Sequence, residues 1–248
     1  MLDADIKGFF DNLSHAVIMQ AVAAKIADGN ILRLLQRFLT SGVMESGVFK
    51  PTTVGTPQGG VISPLLANSV LDHLDWQLEQ AGFRHVRYAD DFIVLCRSKQ
   101  QAKEALAWVT QVLDGLGLEL SPEKTRMTTY GKGYSFLGFI LSKRSRRMRP
   151  KSLKKFKEKV RELTCRSYNM DAQVIRRLNR VIRGTAQYFA TGFFTGREVF
   201  HKLDSWIRMR LRCMKTKRKS LNDNRKIRVK TLARLGLLTL ESLVPERT

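Results

Sequence analysis

Paired cysteines are missing from this chain, and two classes of explanation go with them. Cys96, Cys165 and Cys213 lie far apart and form no CxxC pair. That excludes a disulfide framework and a structural zinc site, and suits a protein kept reduced in the cytosol. The four histidines are isolated, so no imidazole cluster offers itself to a metal. No apolar run approaches the roughly 18–20 residues that span a bilayer, and no signal-peptide pattern opens the sequence. A membrane role is therefore not expected. Scarcest of all is acid in the last part of the chain. Residues 143–248 hold 8 Asp and Glu against 31 Lys and Arg, whereas residues 1–142 hold 14 against 13. The formal charge of +22 thus belongs to one end of a chain of 248 residues. Such asymmetry implies a polyanionic partner, nucleic acid first and a membrane surface second.

What is present reads as two regions. Residues 1–142 alternate strand and helix signals. Leu2 to Ile6 reads as a short strand, followed by helices over His15–Ala27, after Ser14, and Ile31–Leu39. An extended Val48–Val54 leads into the loop Gly55-Thr56-Pro57-Gln58-Gly59-Gly60. Ser63-Pro64 then reads as N-cap and first-turn proline of a helix to Gln80. Ser98-Lys99-Gln100-Gln101 has the capping-box pattern for another, ending near Gly115. Leu118–Leu120 and Tyr134–Leu141 are further strand candidates, the latter interrupted at Gly138. This order predicts an α+β fold, a mainly antiparallel sheet with helices on one face. From Lys143 a basic linker to Lys155 leads into helices over Leu153–Leu163, Ala172–Tyr188 and Arg197–Met214, with a short one over Val229–Leu237. In the second of these Ile175, Leu178, Ile182, Ala186 and Phe189 recur at helical spacing, and Arg176, Arg177, Arg180 and Arg183 fall largely outside that stripe.

The chemistry concentrates at Tyr88-Ala89-Asp90-Asp91. Two adjacent carboxylates sit at the tip of a hairpin between His85-Val86-Arg87 and the apolar run Phe92–Cys96. Asp3 and Asp5, two apart on the first strand, point to one face. If that strand lies beside the hairpin, three carboxylates converge on an oxygen-rich pocket suited to Mg²⁺. Equally, Asp3, Asp5 and Asp11 fit a solvated strand and turn, and Asp-Asp pairs are ordinary turn residues. Residue pattern alone leaves both readings standing.

A resemblance bears on that choice. Asp5-Ile6-Lys7-Gly8-Phe9-Phe10-Asp11-Asn12 resembles the first catalytic motif of reverse transcriptases of the group II intron and retron branch. Thr56 to Asn68 is similar to the next motif in its group II intron form, and Tyr88-Ala89-Asp90-Asp91 to the catalytic hairpin. Leu116–Thr125 and Phe136-Leu137-Gly138-Phe139 resemble the two motifs after it. The basic helices, notably Arg183-Gly184-Thr185-Ala186-Gln187-Tyr188-Phe189, resemble the maturase domain that serves as thumb.

The resemblance implies a palm over residues 1–142 and an all-α thumb over 143–248. Asp5, Asp90 and Asp91 would be catalytic and, with the Ile6 carbonyl, would hold two Mg²⁺ ions for phosphoryl transfer. Phe10 would be the steric gate that excludes a ribose 2′-hydroxyl, or else a core aromatic of the turn. Gln58, Gly59, Gly60 and Ala89 would border the template and incoming deoxynucleotide, although a flexible loop also explains the glycines. Lys124 matches a position proposed to protonate pyrophosphate, and a solvated lysine would look the same. Arg176, Arg177, Arg180 and Arg183 would contact RNA phosphates. The implied partners are intron RNA as template, a DNA primer and dNTPs, with a cytoplasmic, nucleoid- or RNP-associated location. Relatives carry a long fingers region before the first motif, so the expectation is an N-terminally truncated chain, inefficient alone unless a separate fingers-containing polypeptide assists. The rivals are a non-catalytic maturase that assists splicing and an inactive truncated copy.

Overall fold

A computed structural model of the chain describes every residue except 46–47, 51, 53, 57–59 and 246–248, and for 43–50 the backbone alone. Two compact units result, Met1–Thr129 and Tyr130–Thr248.

In the first unit the order is β1 (Leu2–Asp5), α1 (Phe9–Asn12), α2 (His15–Ala23), α3 (Gly29–Thr40), β2 (Val43–Glu45), β3 (Val48–Lys50), α4 (Ser63–Gln80), β4 (Arg84–Tyr88), β5 (Asp91–Leu95), α5 (Lys99–Gly115) and β6 (Arg126–Met127). Four strands form a sheet in the order β4-β5-β1-β6, every neighbouring pair antiparallel. Alternation along β1 and β5 divides that sheet. Leu2, Ala4, Ile6, Phe92 and Val94 enter one buried cluster with Leu66, Val70, Leu74 and Leu78 of α4, Val109 and Leu113 of α5, and Ile18 and Val22 of α2. Asp3, Asp5, Asp91 and Ile93 therefore project from the opposite face, because successive strand residues alternate sides. Each large apolar side chain so buried contributes roughly 1.5–3 kcal/mol.

Local chemistry sets the element ends. Asp28 caps α3 by accepting from the Asn30 and Ile31 amides at 2.7 and 3.3 Å. Ser98 accepts from the Gln101 amide at 3.0 Å, and Gln101 Oε1 accepts from the Arg97 amide at 2.7 Å, a capping box displaced by one residue. Ser63 is not the N-cap expected of it. It lies inside the first turn of α4, and Ile62 holds the cap position. Of the stretch Val48–Val54 expected to be extended, Val48–Lys50 is the strand β3, paired antiparallel with Val43–Glu45, and residues 51 and 53 lie outside the described residues.

The second unit opens with β7 (Tyr134–Phe136), β8 (Phe139–Leu141) and β9 (Arg146–Met148), a three-stranded antiparallel sheet. Two sequence expectations fail here. Tyr134–Leu141 is a hairpin, because Leu137 and Gly138 both take positive φ, 47° and 81°, and turn the chain back in two residues. The basic stretch after Lys143 includes a strand rather than linker alone. Then follow α6 (Pro150–Leu163), α7 (Ala172–Phe189), α8 (Arg197–Thr216), α9 (Asp223–Lys226), α10 (Val229–Arg234) and a 3₁₀ turn, Glu241–Leu243. Their apolar stripes form a separate core around Val160, Leu178, Ile182, Phe200 and Leu211. Polar side chains fasten the C-terminal segment to it. Asn179 donates to the Gly236 carbonyl (2.7 Å) and accepts from the Leu238 amide (3.0 Å). Asp204 accepts from the Leu240 and Glu241 amides (2.8 and 3.1 Å). The break between units thus precedes the composition shift at residue 143, and the small sheet sits with the basic helices.

Candidate active site

The register of β1 on β5 opposes Asp5 to Asp91. The Asp5 carbonyl accepts from the Ser121 amide at 2.8 Å, on the far side of β1. Asp5 and Asp91 are therefore a non-hydrogen-bonded pair, the class whose Cα atoms stand about 4.5 Å apart with neighbouring side chains. One residue on, Ile6 bridges Leu120, and the flanking bonds Lys7 N–H to Glu119 O (2.9 Å) and Ser121 N–H to Asp5 O carry that bridge. In such a bridge the middle residue makes none of the bonds, so the Ile6 carbonyl points back toward the hairpin side.

β4 and β5 are joined by Ala89-Asp90 alone, since Tyr88 opposes Asp91. Ala89 takes φ 55°, a conformation that favours glycine. What holds it is Arg87. That side chain is fixed bidentately by Asp75 of α4, with Nε to Oδ1 at 2.8 Å, and its Nη1 donates to Asn68 Oδ1 (2.9 Å) and to the Ala89 carbonyl (3.1 Å). His85 joins the same carboxylate at 3.2 Å. The hairpin tip is thereby tied to α4 from the core side, leaving Asp90 and Asp91 half-buried at the sheet's other face.

Lys124 completes the cluster. The turn at Ser121–Thr125, closed by the Thr125 amide on the Ser121 carbonyl (2.9 Å), brings its Nζ to 2.7 Å from Asp5 Oδ2. That carboxylate, with smaller contributions from Asp90 and Asp91, raises the lysine above its ordinary value. Asp3 differs from Asp5. It is buried, burial pushes its carboxyl up, and Arg126 Nε sits 3.3 Å from its Oδ2. Among the described residues no three carboxylate, imidazole or thiol groups form a closed metal-ligand cluster. The donor set is nevertheless one for a hard cation: carboxylate oxygens on one face, a backbone carbonyl directed toward the hairpin, and an ammonium already seated on Asp5.

Phe10 stands half-buried on α1, its ring edge-on to Phe9 at 5.2 Å. The Thr56 amide donates to the Phe10 carbonyl (2.7 Å) and the Gly55 amide to the Leu13 carbonyl (2.9 Å), so the loop before α4 is clamped onto α1. Gly55 is required there. Its φ is 83°, and a Cβ would stand 2.7 Å from the carbonyl oxygens of Phe10 and Asp11. Gly60 accepts from the Ser63 amide at 3.2 Å at the entry to α4, and Gln58 and Gly59 lie outside the described residues.

Residues 1–141 match the family model described as reverse transcriptase (RNA-dependent DNA polymerase). The chain belongs to the reverse transcriptase family. Residues 153–232 match the group II intron, maturase-specific domain, so a maturase-specific segment follows the reverse-transcriptase one in the same chain. It is 30% identical to protein YkfC of Escherichia coli K12 across 59% of this chain and 48% of that one. It is 28% identical to the group II intron-encoded protein LtrA of Lactococcus lactis across 56% of this chain and 34% of that one. The chain thus spans half or less of the length of these relatives. The apo telomerase structure from Candida tropicalis covers 94% of this chain and 42% of that one with TM-score 0.54 at 12% identity, a likeness of fold alone.

In the maturase unit of this reverse transcriptase Arg176, Arg177, Arg180 and Arg183 are all exposed on α7, opposite the buried Ile175, Leu178 and Ile182. Phe189 and Phe194 belong to the core, while Phe193 is exposed beneath the Arg146 guanidinium at 4.3 Å. Sequence reasoning missed Arg87, Asp75 and Gly55. Asn68, which closes the second motif, was the one available signal for the first two, and the left-handed demand at Gly55 was masked by a generally glycine-rich loop.

Proposed function

We propose that this chain is the palm and thumb of an RNA-directed DNA polymerase that adds deoxynucleotides to a DNA 3′ end on an intron RNA template. The observation supporting this most is the cross-strand opposition of Asp5 and Asp91 beside Asp90 on the sheet face opposite the core cluster. Asp5, Asp90, Asp91 and the Ile6 carbonyl would hold two Mg²⁺ ions, which when bound lower the pKa of the primer hydroxyl and neutralise the leaving pyrophosphate. The chain's own groups would do the rest. Phe10 would stand beneath the incoming sugar and exclude a 2′-hydroxyl. Gln58, Gly59, Gly60 and Ala89 would border the nascent pair. Lys124, already a charged donor in reach of this cluster, would pass a proton to pyrophosphate. The exposed arginines of α7 would hold RNA phosphates. Such a protein would work in the cytoplasm beside nucleoid or RNP.

The test pairs binding with turnover. Mn²⁺ titration followed by electron paramagnetic resonance is expected to show binding that Asp5→Asn and Asp90→Asn each weaken at least about tenfold. Primer extension on an RNA template is expected to be Mg²⁺-dependent and lost in Asp90→Asn. Metal binding and extension indifferent to both carboxylates would overturn the reading.

A further inference from the structure

A cavity of about 750 Å³ opens between α8 and the segment that follows it. Arg208, Arg212, Lys219 and Arg228 stand around it, and among the described residues no acidic one lines it. Its floor differs in character. Met209 and the buried Cys213, one turn apart on α8, place their sulfurs 3.6 Å from each other. Leu221 and Val229, both largely exposed, form the facing lip. Arg212 uses Nε to hold the Ile227 carbonyl at 2.9 Å, and Arg208 is turned along its helix to Ser205 Oγ at 2.8 Å. Burial lowers the Arg212 guanidinium from its ordinary value, the like charge of Arg208 pushes the same way, and the neighbouring Asp223 opposes them in part. The protein has thus gathered mutually repelling cations around an apolar, polarisable surface.

The occupant must answer both features. A bare phosphate needs no sulfur-lined floor, and an apolar ligand needs no ring of cations. A paired duplex would reach the rim with its phosphates, but its stacked bases cannot reach the floor. A nucleotide whose base has left the stack satisfies both, with a flat polarisable ring for the thioether and thiol and a phosphate for planar guanidinium donors. The volume is also right for a ligand of that size. We propose that this pocket takes one extrahelical nucleotide of a bound RNA, its base over Met209 and Cys213 and its phosphate between Arg208 and Arg228. The inference rests on the reading of this unit as RNA-binding.

The experiment uses the full chain and two RNA hairpins, one fully paired and one carrying a single bulged 4-thiouridine. The bulged hairpin is expected to bind about tenfold more tightly, the increment of one stacked base. Irradiation is expected to cross-link the thiouridine to the peptide spanning residues 205–229. Arg208→Gln/Arg228→Gln lowers the affinity for both hairpins through lost charge, so the readout is their ratio, which should fall toward one. Equal affinities in the unmodified chain, a cross-link elsewhere, or a ratio the double variant leaves intact would overturn the pocket while sparing the RNA-binding reading. Failure to bind either hairpin would remove both.

Discussion

Lys124 occupies Asp5 in the way a bound cation would, and that has a measurable consequence at the scale of a single residue. A metal ligated by Asp5 competes with this ammonium for the charge of one carboxylate. Lys124→Ala is expected to raise divalent affinity roughly two- to fivefold, the range of an exposed ion pair, while slowing nucleotide addition. A calorimetric Mn²⁺ titration beside a single-turnover assay checks both, and unchanged affinity would mean that the lysine and the ion do not compete. Gly55 is the second such position. Gly55→Ala puts a methyl against two backbone oxygens at a left-handed φ, so a loss of about 1–3 kcal/mol is expected in urea unfolding. Much of this detail was legible beforehand. Period-two alternation alone put Asp3 and Asp5 on one face. What it could not supply was the register, and with it the distinction between Asp3, neutralised by Arg126, and Asp5, opposed to Asp91. Arg87 was invisible because nothing in a lone arginine announces a bidentate partner twelve residues upstream in an earlier helix.

Elements with long apolar stripes declared themselves, and short ones did not. α4, α5, α7 and α8 were legible because each repeats its buried positions over several turns. β9 was hidden, since Arg146-Arg147-Met148 looks like part of a charge run until its pairing with β8 is known. The hairpin at Leu137-Gly138 leaves little mark in the sequence, because leucine seldom takes positive φ and a lone glycine reads as an interruption rather than the second half of a turn. The join between α8 and the C-terminal segment yields a pH prediction. Burial raises the Asp204 carboxyl above its ordinary range, against two backbone amide donors that favour its charge. The native state therefore holds this proton more tightly than the unfolded chain does. The stability it contributes is fullest below the unfolded value near 3.8 and declines as pH rises through the native one. Asp204→Asn lacks that decline. Relative to the unmodified chain, the variant should gain ground in thermal unfolding as pH rises from about 3 to 7. A constant difference across that range would refute the assignment.

For the molecule as a whole, charge decides the behaviour. A surplus of +23 in the last 106 residues makes RNA binding an exchange of counterions. The logarithm of affinity is expected to fall with the logarithm of salt at a slope of about −4 or steeper. Replacing Arg176, Arg177, Arg180 and Arg183 together by Gln should flatten that slope by about 3. A slope that does not change would move the RNA to another face. This partition was the plainest message of the sequence, because a count of charges does not depend on how the chain folds. The finer boundary was not, since the small sheet that joins the basic helices carries no compositional mark of its own.

Ala89 sits at the tip of the β4–β5 hairpin in a backbone shape that glycine would adopt more comfortably. A glycine, however, would also let that loop sample many other shapes, and the two acids beside it would wander. By keeping a methyl there and bracing it from behind with Arg87, the chain accepts a little local discomfort and gains a tip that is stiff before any substrate arrives.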